Sequence, residues 1–162
     1  QQGGDTINHY DFSGNIDFKE GPTKHEPGTL NIAGILGLGV AAEYIKWVGY
    51  NEITRHMNKV DLALSDAGLF DIKGLKLIYP NYRQNGRYVY SFVCDGYHPS
   101  DLSAMVSLEG IAVRAGKLCA HPIVNKLSGG KGVIRVSPGM YTETEDINKL
   151  VEGLCKAVKR IS

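Results

Sequence analysis

Apolar positions along the chain change period several times, and each change marks an element. Ile32, Ile35, Leu36, Val40, Tyr44 and Val48 recur at helical spacing, which predicts a helix from Thr29 to a stop at Gly49. The run from Leu30 to Val48 is interrupted by Gly34, Gly37, Gly39, Glu43 and Lys46, so it reads as a buried helix of a soluble protein. Those glycines lower helix propensity by up to about 1 kcal/mol each and would let a backbone or a ligand come close. Ile53, Met57, Val60 and Leu64 predict a second helix, ended by Gly68. The period then shortens. Leu75 to Tyr79, closed by Pro80, and Arg87 to Val93, rich in aromatic and β-branched residues, predict strands joined by a loop over 81–86. Pro99 opens a helix over 101–109. Strands follow at Ile111 to Arg114 and at Val133 to Val136, with Cys119 and a Gly-rich connector from Ser128 to Gly132 between them. A capping box, Thr142 with Glu145, starts the last helix, whose apolar stripe runs through Ile147, Leu150, Leu154 and Val158. Residues 1–28 are polar and rich in Gly and Pro, with a weak strand signal at Phe12, Ile16 and Phe18.

This order predicts an α+β domain over 29–162, a small, mainly antiparallel sheet with helices packed on one face, preceded by an arm or linker over 1–28. The chain's 162 residues suit one core, and its 43% hydrophobic and 22% charged residues are ordinary for a globular protein. A net charge of +1 gives no electrostatic case for nucleic acid or a membrane surface. Three scattered cysteines, Cys94, Cys119 and Cys155, make neither a disulfide framework nor a zinc pattern, and an odd count favours a reducing, cytoplasmic setting. The chain opens on Gln1-Gln-Gly-Gly-Asp5 without an initiator Met, so a domain cut from a longer protein, or a processed piece, is expected.

The chemistry concentrates between Gly110 and Arg135. Cys119 follows an apolar strand and a small-residue turn, Arg114 lies five positions before it, and Arg135 interrupts the next strand. A charge on an apolar strand is costly unless it is partnered, and arginine grips carboxylates through two nitrogens. A thiol between two such arginines suggests sulfur chemistry on an anionic substrate. A buried structural cysteine and internal Arg–carboxylate pairs are the alternative reading. The Gly129 region lacks the spacing of a phosphate-binding loop, no nucleophile elbow is present, and the five histidines share no metal-ligand spacing.

Three motifs carry a family resemblance: Glu26-Pro-Gly-Thr-Leu-Asn31 before the Gly/Ala-rich helix; Arg114-Ala-Gly-x-x-Cys119-Ala-x-Pro122; and Ile134-Arg135-x-Ser137 before the capped helix with Glu145, Asp146 and Ile147. The start Tyr97-His98-Pro99-Ser100-Asp101 agrees with them. Across nearly its whole length the chain resembles the C-terminal part of class V, fold-type I pyridoxal-phosphate aminotransferases, and most of all the SUF-type (group II) cysteine desulfurases and selenocysteine lyases. The resemblance implies the C-terminal small domain of that fold, with 1–28 an arm from an absent large domain. It implies that Cys119 accepts sulfur as a persulfide, that Arg135 binds the substrate α-carboxylate, that Arg114 organises the loop or binds substrate, and that Thr29 reaches the cofactor phosphate of a partner subunit. His56 matches a recurrent structural His.

By the same resemblance the complete enzyme is a homodimer that uses pyridoxal 5'-phosphate, takes an amino-acid substrate, converts L-cysteine to L-alanine, and passes sulfur to an acceptor or iron–sulfur scaffold protein. The cofactor lysine's sequence context is absent from these residues, so the isolated chain is expected to be inactive. Lys117, Leu118 and His121 depart from the subgroup's usual residues around the cysteine, and Thr142 stands where the family usually caps with Asn. Another class V activity (selenocysteine lyase, epimerase or aminotransferase) and a stand-alone, non-catalytic binding module remain the alternatives.

Overall fold

A computed structural model of the chain describes residues 3–78 and 88–161. The expected loop over 81–86, with the strand ends at Tyr79 and Arg87, lies outside the described residues. The chain divides into two compact units, Gln1–Gly49 and Tyr50–Ser162.

In the first unit, strands β1 (Ile7–Tyr10) and β2 (Ile16–Phe18) pair antiparallel. Asp11 shapes the connection, because its Oδ1 accepts from the backbone N–H groups of Ser13 and Asn15 at 2.9 Å each. Helix α1 (Ile32–Val48) follows, and the Asn31 side chain caps it by accepting from the Gly34 N–H at 3.0 Å. The sequence suggests a buried helix here, yet α1 buries none of its residues in this chain. Leu36, Leu38, Val40 and Trp47 are all exposed, as on a helix that is apolar on every side and lacks a cover.

The second unit holds the main sheet. Its elements are α2 (Tyr50–Asp66), β3 (Leu75–Leu77), β4 (Tyr90–Cys94), α3 (Pro99–Leu108), β5 (Arg114–Gly116), α4 (His121–Ser128), β6 (Val133–Val136) and α5 (Thr144–Ile161). The strands lie in the order β3-β4-β6-β5, and every neighbouring pair is antiparallel. Side chains alternate along a strand, so Tyr90, Phe92 and Cys94 share one buried face with Ile134 and Val136. Helices α2, α3 and α5 cover that face with Leu64, Leu102, Val106 and Leu154, each buried in the same core. Burying each such side chain contributes about 1.5–3 kcal/mol. The Tyr90 hydroxyl reaches α2 inside this core and donates to Asp61 Oδ1 at 2.8 Å.

Four local features differ from the sequence reading. The apolar segment at Ile111 is not a strand but the end of a helix cap. Gly110 adopts φ 76°, its N–H bonds the Ser107 carbonyl, and the Ile111 N–H bonds the Val106 carbonyl. That is a Schellman closure of α3, in which an apolar residue follows the glycine and packs back on the helix region. Strand pairing therefore starts only at Arg114. The connector after Cys119 contains α4, with Pro122 in its first turn and Gly129 ending it in the left-handed conformation. The capping box is displaced by one residue, because the Glu143 N–H donates to Asp146 Oδ2 at 3.0 Å. Glu145 instead pairs with Lys149 at 2.7 Å, and the Thr142 hydroxyl accepts from the Gly139 N–H at 2.9 Å. Before α3, the His98 ring Nδ1 accepts from the Ser100 N–H at 3.2 Å, so a histidine serves as the N-cap.

Candidate functional site

Arg114 and Arg135 are direct register partners across β5 and β6. Opposed residues in an antiparallel pair project from the same face with Cβ atoms about 5 Å apart, so two guanidinium-bearing chains flank one patch of sheet. Like charges so placed repel, which lowers stability unless an anion lies between or beside them. Arg114 is exposed, Arg135 is half-buried, and the buried Nε of Arg135 finds no hydrogen-bond partner among the described residues. A guanidinium nitrogen left unsatisfied inside a protein is costly, and a carboxylate ligand would satisfy it. The internal Arg–carboxylate pair considered as an alternative therefore does not account for this nitrogen.

Cys119 lies just beyond β5. The Ala120 N–H bonds the Lys117 carbonyl at 2.9 Å, closing a tight turn whose central residues are Leu118 and Cys119. Both have positive φ, 52° and 58°. Side chains other than glycine's rarely accept this conformation, which costs of order 1–3 kcal/mol per residue and persists only where the surroundings enforce it. The turn makes the Cys119 thiol exposed, while Cys94 is buried and Cys155 half-buried. The alternative of a buried structural cysteine does not hold for Cys119, but it describes Cys94, whose thiol is pushed up to about 11 by burial. Lys117 and Leu118 are half-buried beside the thiol, and His121 is exposed at the first position of α4.

The second unit thus sets Arg114 and Arg135 opposite one another on β5 and β6, with Cys119 in the turn just after β5. Thr29 belongs to the first unit, where it lies exposed in the bend before α1. His56 on α2 has a structural partner, since its Nε2 lies 3.1 Å from the Thr142 carbonyl. Among the described residues, no group of three or more His, Cys, Asp or Glu could hold a metal ion, and no single helix is long and apolar enough to cross a membrane.

The sequence reading missed the base of the Cys119 excursion. Ser128, buried at the end of α4, donates to the Val124 carbonyl at 2.7 Å and accepts from the Gly132 N–H at 3.0 Å. Gly132 has φ 94° and runs against Gly116, whose Cα would lie 3.0 Å from a Cβ built at 132. The only sequence signal was the cluster of glycines from Gly129 to Gly132, which reads equally well as a flexible connector.

The fold is that of a domain of the aminotransferase class. Residues 1–150 match the class-V aminotransferase family, and the chain belongs to it. A probable cysteine desulfurase of Xylella fastidiosa is 34% identical over 157 residues, which are 97% of this chain and 36% of that protein. A cysteine desulfurase of Synechococcus elongatus is 35% identical over 161 residues, 99% of this chain and 24% of that protein. The apo cysteine desulfurase of Thermococcus onnurineus superposes with a TM-score of 0.76 at 30% identity, over 98% of this chain and 39% of that one. The S-sulfonic acid form of the Escherichia coli cysteine desulfurase CsdA superposes with a TM-score of 0.75 at 28% identity, over 99% of this chain and 38% of that one. The chain therefore spans well under half the length of these relatives. The α+β fold expected from sequence agrees with these structures.

Proposed function

We propose that this chain is the C-terminal small domain of a pyridoxal-phosphate-dependent cysteine desulfurase, and that it contributes the sulfur-accepting thiol and the substrate-carboxylate clamp. The observation that carries this reading is an exposed thiol in a strained turn just after β5 together with a buried, unsatisfied arginine nitrogen on the neighbouring β6. Arg135 binds and orients the amino-acid carboxylate, and Arg114 sets the positive field at the mouth of the site. Cys119 Sγ, as thiolate, attacks the substrate sulfur. An S–S bond forms, the substrate Cβ–S bond breaks, and Cβ takes up a proton. L-cysteine and the Cys119 thiol thus become L-alanine and a Cys119 persulfide, with no external oxidant or reductant.

Pyridoxal phosphate, when bound, supplies the electron sink that makes the Cβ–S bond labile. The residues of this chain fit that role. The orphaned Arg135 nitrogen suits the carboxylate of a cofactor-bound substrate, and the exposed Thr29 hydroxyl suits a phosphate oxygen across a homodimer interface. The uncovered apolar surface of α1 suits burial against a cofactor-binding domain. An exposed thiol also suits hand-over of the persulfide sulfur to an acceptor or iron–sulfur scaffold protein, in a reducing cytoplasm.

The test uses the complete enzyme containing this chain, loaded with cofactor. Cys119→Ser is expected to abolish alanine formation from L-cysteine, by at least about 100-fold, while substrate-induced changes in the cofactor's absorption persist. Unchanged alanine formation in Cys119→Ser would refute the proposed role of the thiol. Loss of the spectral change as well would move Cys119 from sulfur transfer to binding. Selenocysteine accepted and L-cysteine refused would favour the lyase alternative.

A further inference from the structure

The strained turn at Cys119 needs something to enforce it, and the chain supplies a closed support. The segment leaves the sheet at Gly116 and returns to it at Gly132. At the exit, Gly116 pairs in register with Val133. At the return, Gly132 is buried and lies so close to the Gly116 backbone that a Cβ there would sit 3.0 Å from Gly116 Cα and 3.1 Å from its carbonyl carbon. Backbone atoms cannot swing aside as a flexible side chain would. Ser128 fastens the inner side of the loop, since its hydroxyl links the Val124 carbonyl on α4 to the Gly132 N–H. The other end of α4 starts at the thiol turn, where the Val124 N–H bonds the Ala120 carbonyl at 3.0 Å. Val124 thus joins both ends: its N–H holds the turn and its carbonyl holds Ser128.

We propose that Ser128, Gly132 and Gly116 form a neck that holds the Lys117–Ala120 turn in its left-handed shape, so that Ser128 and Gly132 are positioning residues for the Cys119 thiol. The inference rests on the sulfur-transfer reading above for its functional meaning, and on the chain alone for its geometry. Arg135 does not depend on the neck in the same way, because β6 is paired on both sides, with β4 and with β5. Weakening the neck is therefore expected to impair delivery of the thiol and to spare carboxylate binding.

Ser128→Ala is the first variant, since it removes the bridging oxygen while adding no bulk. Gly132→Ala is the second and more severe one, because a Cβ there meets backbone and the residue has φ 94°. In the full chain, hydrogen exchange at the Ala120 amide is expected to speed up about tenfold in Ser128→Ala, with the amides of β4 and the central part of β6 unchanged. Unchanged Ala120 exchange would overturn the neck, and so would equal acceleration across the whole sheet. In the complete enzyme, Ser128→Ala is expected to lower kcat for alanine formation about tenfold with KM for L-cysteine unchanged, and Ser128→Thr, which keeps the oxygen, is expected to restore it. A rise in KM at constant kcat, or no rescue by Thr, would overturn the positioning role. If Ala120 exchange responds as expected while the unmodified complete enzyme forms no alanine from L-cysteine, the neck stands and the desulfurase reading falls.

Discussion

Gly153 lies in the middle of α5, and Ile111 fills the space its side chain would take. A Cβ built there would overlap Ile111 Cδ1, with the next atoms, Ile111 Cγ1 and Glu109 Cβ, at 3.7 and 3.8 Å. Two effects therefore oppose one another in Gly153→Ala. Alanine is better than glycine inside a helix by about 1 kcal/mol. The overlap with Cδ1 forces Ile111 to move, and overpacking of this kind costs about 1–3 kcal/mol. The single variant should be destabilised by about 0–2 kcal/mol. Ile111→Val removes the clashing Cδ1 and nothing else. Alone it should cost about 0.5 kcal/mol, the low end for such a truncation because Ile111 is only half-buried. In that background the Cβ meets only ordinary contacts, so Gly153→Ala should become stabilising by about 1 kcal/mol. The four proteins of the cycle, unfolded in urea and followed by far-ultraviolet circular dichroism, should give a coupling of about 1–3 kcal/mol. A coupling below about 0.5 kcal/mol would refute the contact. The result bears on the site, because Ile111 closes α3 and the chain runs from it into β5 and Arg114.

The remaining predictions concern the thiols and the arginine clamp. At pH 8 iodoacetamide should modify Cys119 first, Cys155 more slowly and Cys94 least, read by peptide mass, and early labelling of Cys94 would contradict its burial. Burial pushes the Cys94 thiol up to about 11, and burial followed by the neighbouring Cys94 and Asp95 pushes the Tyr97 phenol up to about 12. Both groups hold their protons longer in the folded chain than in the unfolded one. Their contribution is thus complete below the unfolded values of about 8.5 and 10, and is lost as pH rises to about 11 and 12. Stability should fall by up to about 1.4 kcal/mol per pH unit and per group in that window, and Cys94→Ala should flatten the lower part of the decline. Arg135→Lys in the complete enzyme should raise KM for L-cysteine about 10–100-fold, since a point-like ammonium cannot reproduce the forked contact, and an unchanged KM would remove Arg135 from carboxylate binding.

Much of the fold was legible because it follows from local periodicity. The stripe Ile147, Leu150, Leu154 and Val158 does line the core face of α5, and the alternating Tyr90 and Phe92 do point into the core. That Cys119 lies on a loop between two arginine-bearing strands was legible too, from the residue types and the motif order. What was not legible depends on tertiary closure. Nothing in Leu118 or Cys119 announces a positive φ, since neither residue favours it and such a conformation persists only where the surroundings enforce it. Ile111 has the composition of a strand but serves as the apolar residue after a helix-ending glycine. The shift from Thr142 to Glu143 as the capping position goes with the Thr142 N–H bonding the Gly139 carbonyl, which leaves the Glu143 N–H to Asp146, and spacing alone does not rank the two boxes. The apolar pattern of α1 was read correctly as a helix, but a pattern cannot say which surface will cover it.

The neck between Gly116 and Gly132 separates two kinds of inheritance in this domain. Arg135 belongs to the sheet and is bound by the geometry of three strands. Cys119 hangs on a stalk whose two ends touch, so the exposed residues between them can vary without disturbing the ladder that aligns the arginine. Charge and shape of the thiol-bearing segment are thereby open to variation while the strand pairing that holds Arg135 stays constant. A domain organised in this way can change the loop that carries its exposed thiol without changing its sheet.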